Sequence, residues 1–343
     1  MTVSSPTLQP SAQDGAFVRR LIHAGGSGGV HGLGLSGVIH ERTEATGHSN
    51  VWVVLAPGWA GDRCGPGEIF VAMAAALLST TRIGHVLRFD VHGRGEAGGE
   101  YAESDLDAMV DDGLRAMALP ALESGAVEGG NPPPEIHLIG MCSGGNVALG
   151  AAGLWARIQA QDETDLRHLP PEVVVALRAT KLASVQAIST FPFQEMRPEE
   201  LNSIRQHENR RKTLAKLFQP ESYKKLLSGK LNPTRIMKNW FETEPGAKGS
   251  EEAGEKRNLK LSRRDLLDGI GKYSGPLHFL YADGDPEGTA SIPVFQAYFN
   301  EAATEGAKVE SKPSFTVLDG CNHNFYGLSA RAKLCAQLAK VLA

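Results

Sequence analysis

One cysteine sits where its neighbours would make it reactive. Cys142 lies in the stretch Gly140-Met141-Cys142-Ser143-Gly144-Gly145. Residues 135–139 before it read as a short buried strand, and residues 146–152 after it as a helix of small residues. Strand, sharp turn and helix form the setting of a nucleophile elbow, whose strained turn demands small residues two before and two after the reactive side chain. Gly140 and Gly144 bracket Cys142 at that spacing. An elbow centred on Ser143 would place Met141, which is too large, in the first small position. The chemistry implied is covalent attack by sulfur on an acyl carbon. Ser143 stands as the alternative nucleophile, and a glycine-rich connection with a buried free cysteine as the non-catalytic alternative.

A cysteine nucleophile needs a base, and the base needs an acid to orient it. Residues 277–282 form an apolar strand that empties into Asp283-Gly284-Asp285-Pro286. Residues 314–318 form another, which empties into Asp319-Gly320-Cys321-Asn322-His323-Asn324-Phe325. In this arrangement Cys142 attacks a carbonyl, His323 takes and returns the proton, and Asp285 holds the imidazole tautomer. Asp283 competes for the acid role, and the Asp-Pro pair just outside the strand turn favours Asp285. Taken singly, His323 reads equally as a solvated loop residue and Asp285 as a turn former. Three such residues at successive strand ends make a site the better reading. Acyl transfer also requires oxyanion donors. The backbone N–H of Ser143 supplies one, and Trp59, in the loop Pro57-Gly58-Trp59-Ala60-Gly61-Asp62-Arg63, the other. The helix after Cys142 directs its positive end at the sulfur and should lower the thiol pKa.

The elements that must position these groups alternate. Strands are expected at 35–41, 51–56, 85–90, 135–139, 183–188, 277–282 and 314–318, with helices at 68–79, 105–119, 146–152 and 329–342. This alternation predicts an α/β fold, a mostly parallel sheet with helices on both faces. Residues 1–15 read as a disordered tail, 16–190 and 266–343 as the core, and 191–265 as a helical lid. Within the lid, 197–238 carries eleven Lys and Arg against four Glu, and 242–258 reads as a mobile Gly- and Glu-rich loop. Insertions at that point of such a sheet cover the carboxyl ends of the strands, where ligands bind. The basic lid could steer an anionic substrate portion, although solvated helix faces explain the same charges.

Composition narrows the function further. The 343 residues are 41% hydrophobic and 22% charged, with a formal net charge of −4. That balance offers no field for nucleic acid or for an anionic membrane surface. No apolar run reaches the ~20 residues a membrane helix needs, and no membrane insertion is expected. Cys64, Cys142, Cys321 and Cys335 are widely spaced and suggest neither zinc knuckle nor disulfide framework, which fits a reducing, cytoplasmic setting. Cys321 and His323 lack the further ligands a metal needs. No cofactor is expected either, because Gly25-Gly26-Ser27-Gly28-Gly29 lacks the context of a phosphate loop. His92 and Arg94, on the loop after 85–90, read as turn-stabilising rather than site-facing.

The elbow, the strand order and the terminal histidine resemble the α/β-hydrolase superfamily, whose triad runs nucleophile, acid, histidine along the chain. The Gly-x-Cys-x-Gly-Gly elbow is similar to that of dienelactone hydrolases. A closer resemblance is to exosortase-system-associated hydrolases. It rests on Arg63-Cys64-Gly65 followed by Phe70, on Leu87-Arg88-Phe89-Asp90 with Gly93-Arg94-Gly95-Glu96 and Gly98-Gly99-Glu100, and on 222–230 in the lid. His323-Asn324-Phe325 resembles that family's His-Thr-Phe, and Asp285 falls on its acid position. The chain departs from it at Ser143, where the family has an acidic residue, at His92, where it has arginine, and in a longer lid. The resemblance implies a hydrolase or acyltransferase acting on a small-molecule or carrier-bound ester or thioester. A serine hydrolase or aminopeptidase-like enzyme using Ser143, and a catalytically silent binding protein on the same fold, are the competing readings.

Overall fold

The computed structural model describes residues 17–22, 33–42, 49–59, 61–79, 82–162, 166, 168–192, 262–264, 266–304 and 313–343. Eight strands build one sheet: β1 (Phe17–Ile22), β2 (Ser36–Arg42), β3 (Val51–Ala56), β4 (His85–Asp90), β5 (Glu135–Met141), β6 (Lys181–Ile188), β7 (Leu277–Ala282) and β8 (Ser314–Leu318). Their order is β1-β2-β4-β3-β5-β6-β7-β8. β1 and β2 run antiparallel, and every pair from β4 to β8 is parallel. The central strands are continuous apolar runs because helices cover both faces.

Seven α-helices are described: α1 (Ile69–Leu78), α2 (Leu106–Glu123), α3 (Ser143–Gln159), α4 (Pro171–Arg178), α5 (Leu266–Gly271), α6 (Pro286–Thr304) and α7 (Leu328–Leu342). Strand side chains alternate between two cores. Val53 and Leu55 of β3 pack with α1 and α7. Trp52, Val54 and Ala56 pack on the opposite face with α2, α3 and α4.

Most expected elements are present, several with different extents. β1 precedes the strand read as first. Its short FVRRLI sequence lies at the sheet edge, where Arg20 pairs with Glu41 and Glu123, so it lacks the apolar run that marks a central strand. α2 begins where Asp105 accepts the Ala108 N–H, and it continues through Pro120 to Glu123 rather than ending at 119. The elbow helix is longer than 146–152, since tertiary burial carries it from Ser143 to Gln159. α4, α5 and α6 occupy stretches in which no helix was expected. The tail at 1–15, the glycines at 25–29, and the lid with its basic and Gly/Glu-rich parts lie outside the described residues, apart from 191–192 and 262–264.

Register levels the carboxyl ends of the strands. Ala56 pairs with Gly140, Met141 with Ile188, Ile188 with Leu280, and Ala282 with Leu318. The loops that follow β3, β5, β7 and β8 therefore leave the sheet along one rim.

Candidate active site

Cys142 stands between β5 and α3 with φ 58° and ψ −126°. A side chain at positive φ is strained, and such strain persists only where the surroundings enforce it. Here the enforcement is visible. The Cys142 N–H donates to Ile188 O at 2.8 Å, and its carbonyl accepts from Gly145 N at 3.0 Å and Thr190 Oγ1 at 3.3 Å. Glycine is required around it. A Cβ on Gly140 would overlap the Gly144 carbonyl, one on Gly144 would lie 2.7 Å from Pro57 O, and one on Gly145 would overlap the Thr190 hydroxyl. The tight approach of strand, elbow and helix thus supplies the physical reason for the glycine spacing.

The side chains of Cys142 and Ser143 part company at the turn. Cys142 is half-buried and its thiol is free. Ser143 opens α3 with 1% exposure, and its buried hydroxyl has no partner among the described residues.

β7 and β8 deliver the acid and the base. His323 Nδ1 lies 2.6 Å from Asp285 Oδ2. The other oxygen of Asp285 accepts the Gly288 N–H at 3.2 Å, so the same carboxylate caps α6. The Cys142 side chain is the second group close enough to act on the His323 ring. Burial of the ring disfavours its charged form, but the hydrogen bonds and charges of Asp285 and Cys142 outweigh it and push the pKa up to about 10.

Asp283 faces elsewhere. Its Oδ1 accepts the Cys321 N–H at 3.0 Å, and backbone N–H groups of Gly320 and Cys321 hold its pKa below the usual carboxylate value. It braces the turn that presents His323, while Asp285 bonds the ring.

The loop after β3 closes against the elbow. A Cβ on Gly58 would stand 3.4 Å from Cys142 Cβ and 3.1 Å from Met141 O. Trp59, the next residue, is half-buried and packs its indole edge-to-face with Tyr101 at 6.2 Å. The N–H groups in the first turn of α3 have no partner within the helix, and Ser143 is the first of them. Asp90, at the end of β4, accepts from the backbone and guanidinium of Arg63 and from Glu96 N. It ties the Trp59 loop to the sheet.

Arg94 braces its loop as expected, with Nη1 donating to Ser104 Oγ and to His92 O, and makes a further contact. Its guanidinium reaches into the corner between the Trp59 and Tyr101 rings. His92 serves the turn through its N–H, which donates to Asp112 at 2.6 Å.

Three residues escaped the sequence reading. Asn146 donates to Phe191 O at 3.0 Å, and the Phe191 ring sits 6.1 Å from the His323 ring. Thr190 holds the elbow carbonyl and accepts the Tyr281 hydroxyl on its own carbonyl at 2.8 Å. Nothing local marks them, because each acts across a long sequence gap. Asp285-Pro286 did carry a readable signal, that of an N-cap followed by proline at the first helical position. Among the described residues no group of three or more His, Cys, Asp or Glu is placed to hold a metal, and no helix is long and apolar enough to cross a membrane.

Comparison with known proteins follows this geometry. A model of the Alpha/beta hydrolase family matches residues 53–338. An arylesterase structure aligns with TM-score 0.52 and 12% identity, over 97% of this chain and 85% of that one. A dienelactone hydrolase from Anabaena variabilis aligns with TM-score 0.47 and 11% identity, over 94% and 96% of the two chains. Est1E from Butyrivibrio proteoclasticus, with ferulic acid bound, aligns with TM-score 0.45 and 12% identity, over 94% and 96%. At these identities the likeness is one of fold. No curated protein matches the sequence.

Proposed function

This chain belongs to the alpha/beta hydrolase family, and on that premise we propose that it hydrolyses an ester or thioester, or transfers its acyl group, through a covalent acyl-enzyme on Cys142. The observation that carries the reading is one continuous chain of contacts. A strained elbow cysteine lies close enough to His323 to raise its pKa, and Nδ1 of that histidine is 2.6 Å from a carboxylate.

The Cys142 thiol gives its proton to His323, its sulfur attacks the carbonyl carbon, and a C–S bond forms as the carbonyl π pair moves onto oxygen. Backbone N–H groups of Ser143 and Trp59 receive that oxyanion. The C–O or C–S bond to the leaving group breaks, and the proton on His323 goes to the departing oxygen or sulfur. Water, or an acceptor alcohol or thiol, then gives a proton to His323 as it attacks the acyl-enzyme. The C–S bond to Cys142 breaks with its electron pair on sulfur, which recovers the proton from His323, and the acid, new ester or new thioester leaves. Asp285 keeps the ring oriented and favours its protonated form between the two halves.

The substrate is read as a small-molecule or carrier-bound acyl group. The sequence motifs around 63–70 and 87–100 resemble those of exosortase-system-associated hydrolases, which supports this reading, and four free cysteines suit a reducing, cytoplasmic setting.

Intact-mass analysis with aryl esters and acyl-thioesters tests the mechanism. An acyl adduct should map to Cys142, a thiol-directed alkylating agent should abolish both adduct and turnover, and a fluorophosphonate should leave them intact. An adduct on Ser143, or turnover that survives Cys142→Ala, would overturn it.

A further inference from the structure

We infer that Arg94 is the carboxylate-binding residue of this site, and that the substrate is an ester or thioester whose acyl part carries a carboxylate. The inference rests on the hydrolytic reading above and adds a substrate class to it.

Arg94 is only 7% exposed. Its Cζ lies 4.8 Å from the centre of the Trp59 ring and 4.7 Å from that of Tyr101. The two rings meet at 72°, so the guanidinium fills the corner between them. Nη1 donates to Ser104 Oγ and, at 3.4 Å, to His92 O. Among the described residues Nε and Nη2 are buried without a directed hydrogen bond, and the Tyr101 hydroxyl is the neutral group that acts on the guanidinium most strongly.

A buried guanidinium without an anion is costly, because it gives up its hydration without gaining a counter-charge. Arg63, nearby in the same rim, shows the ordinary solution, with ion pairs to Asp90 and Glu96. Among the described residues no carboxylate pairs with Arg94. Asp112, whose charge it feels, is already bonded to His92 N and Arg115.

The vacant atoms are informative because they are neighbours. Nε–H and one Nη2–H point the same way from one edge of the planar group. Two parallel donors at that spacing match the two oxygens of a carboxylate. One wall of that corner, Trp59, belongs to the loop that closes against the elbow. Trp59 follows Gly58, which abuts Cys142, and the other wall, Tyr101, is 49% exposed. A carboxylate held on the free edge of Arg94 would therefore sit beside the loop proposed to bind the oxyanion. The cation–π contacts hold the guanidinium plane and leave that edge free.

The test compares two p-nitrophenyl esters of equal chain length, the butyrate and the hydrogen succinate, as a ratio of kcat/KM. The full-length protein should favour the charged ester. Loss of a charge-assisted hydrogen-bonding edge is worth about a hundredfold, so Arg94→Gln should lower the charged-to-neutral ratio by about that factor. Arg94→Lys keeps the charge without the paired donors and should also lower it. An unchanged ratio in both variants would overturn the inference.

A second arm needs no turnover. Calorimetric binding of monomethyl succinate to the Cys142→Ala protein should be lost on adding Arg94→Lys and should survive equimolar inorganic phosphate. Binding that persists without Arg94, or displacement by phosphate, would count against a carboxylate site. Failure of the cysteine reading shows separately, as turnover that survives Cys142→Ala, and the Arg94 ratio can be read whichever residue is the nucleophile.

Discussion

Replacing Asp285 by asparagine should change the pH dependence of stability in a calculable way. Asn keeps a side-chain oxygen for the Gly288 N–H and removes only the charge that faces His323. In the folded protein His323 holds its proton up to about pH 10, against an ordinary histidine value of 6.5. A raised folded pKa means that the native state binds a proton which the unfolded state releases. The resulting stabilisation is complete below pH 6.5 and is lost as pH rises through 10. The gap of about 3.5 pH units, at about 1.36 kcal/mol each, gives a ceiling of about 5 kcal/mol. The His323 side chain keeps 30% of its surface in water, so screening reduces this to about 3 kcal/mol. Asp285 is the first of the two partners that raise the pKa, so its charge should account for about 2 kcal/mol of that figure. Urea unfolding of both proteins at pH 7, 8, 9 and 10 reads the difference. The Asp285→Asn protein should be less stable by about 2 kcal/mol at pH 7, and the gap should close towards pH 10 as the wild type alone loses its proton. A gap that stays constant over that range would refute the coupling.

The acid side should show the opposite behaviour. His40, buried and accepting from Arg88 Nε at 2.8 Å, has its pKa lowered to about 3, and buried His137 to about 4. As pH falls from 6.5 to 4 the unfolded state takes up these protons first, and each residue should cost about 1.4 kcal/mol of stability per pH unit. His137→Gln should flatten the fall in unfolding free energy over that range, and an unaltered slope would count against it. Gly140→Ala drives a methyl into the Gly144 carbonyl and should destabilise by about 3 kcal/mol or more, so a Tm within two or three degrees of wild type would contradict the elbow sterics. Cys142→Ala should lower kcat by several orders of magnitude, whereas Ser143→Ala, which keeps its backbone N–H, should stay within about tenfold; assays of both variants on one aryl ester decide. Asp285→Asn should lower kcat more than Asp283→Asn, because Asp283 braces the turn rather than the ring, and the reverse order would move the acid to Asp283.

The sequence by itself determined the chemistry-bearing positions whose constraints are local. Gly140 and Gly144 must be small because the elbow folds back within four residues, and that requirement can be read without knowing any partner. The central strands were legible for a similar reason, since burial on both faces writes itself as an unbroken apolar run. The choice between Asp283 and Asp285 was not of that kind. Both leave the same strand two residues apart, and only the docking of the β8 loop decides which one meets His323. β1 was hidden because an edge strand carries arginines that pair outside the sheet. α6 was missed although Asp285-Pro286 carries an N-cap signal, because Asp283, Gly284, Asp285 and Gly288 together also read as a turn. Arg94 shows the difference most sharply. In sequence it is one basic residue in a glycine-built loop. The tertiary structure brings Trp59 and Tyr101 around it and excludes water, and no carboxylate among the described residues pairs with it. Spacing along the chain records steric demand, whereas what a buried charge lacks is recorded only where distant segments meet.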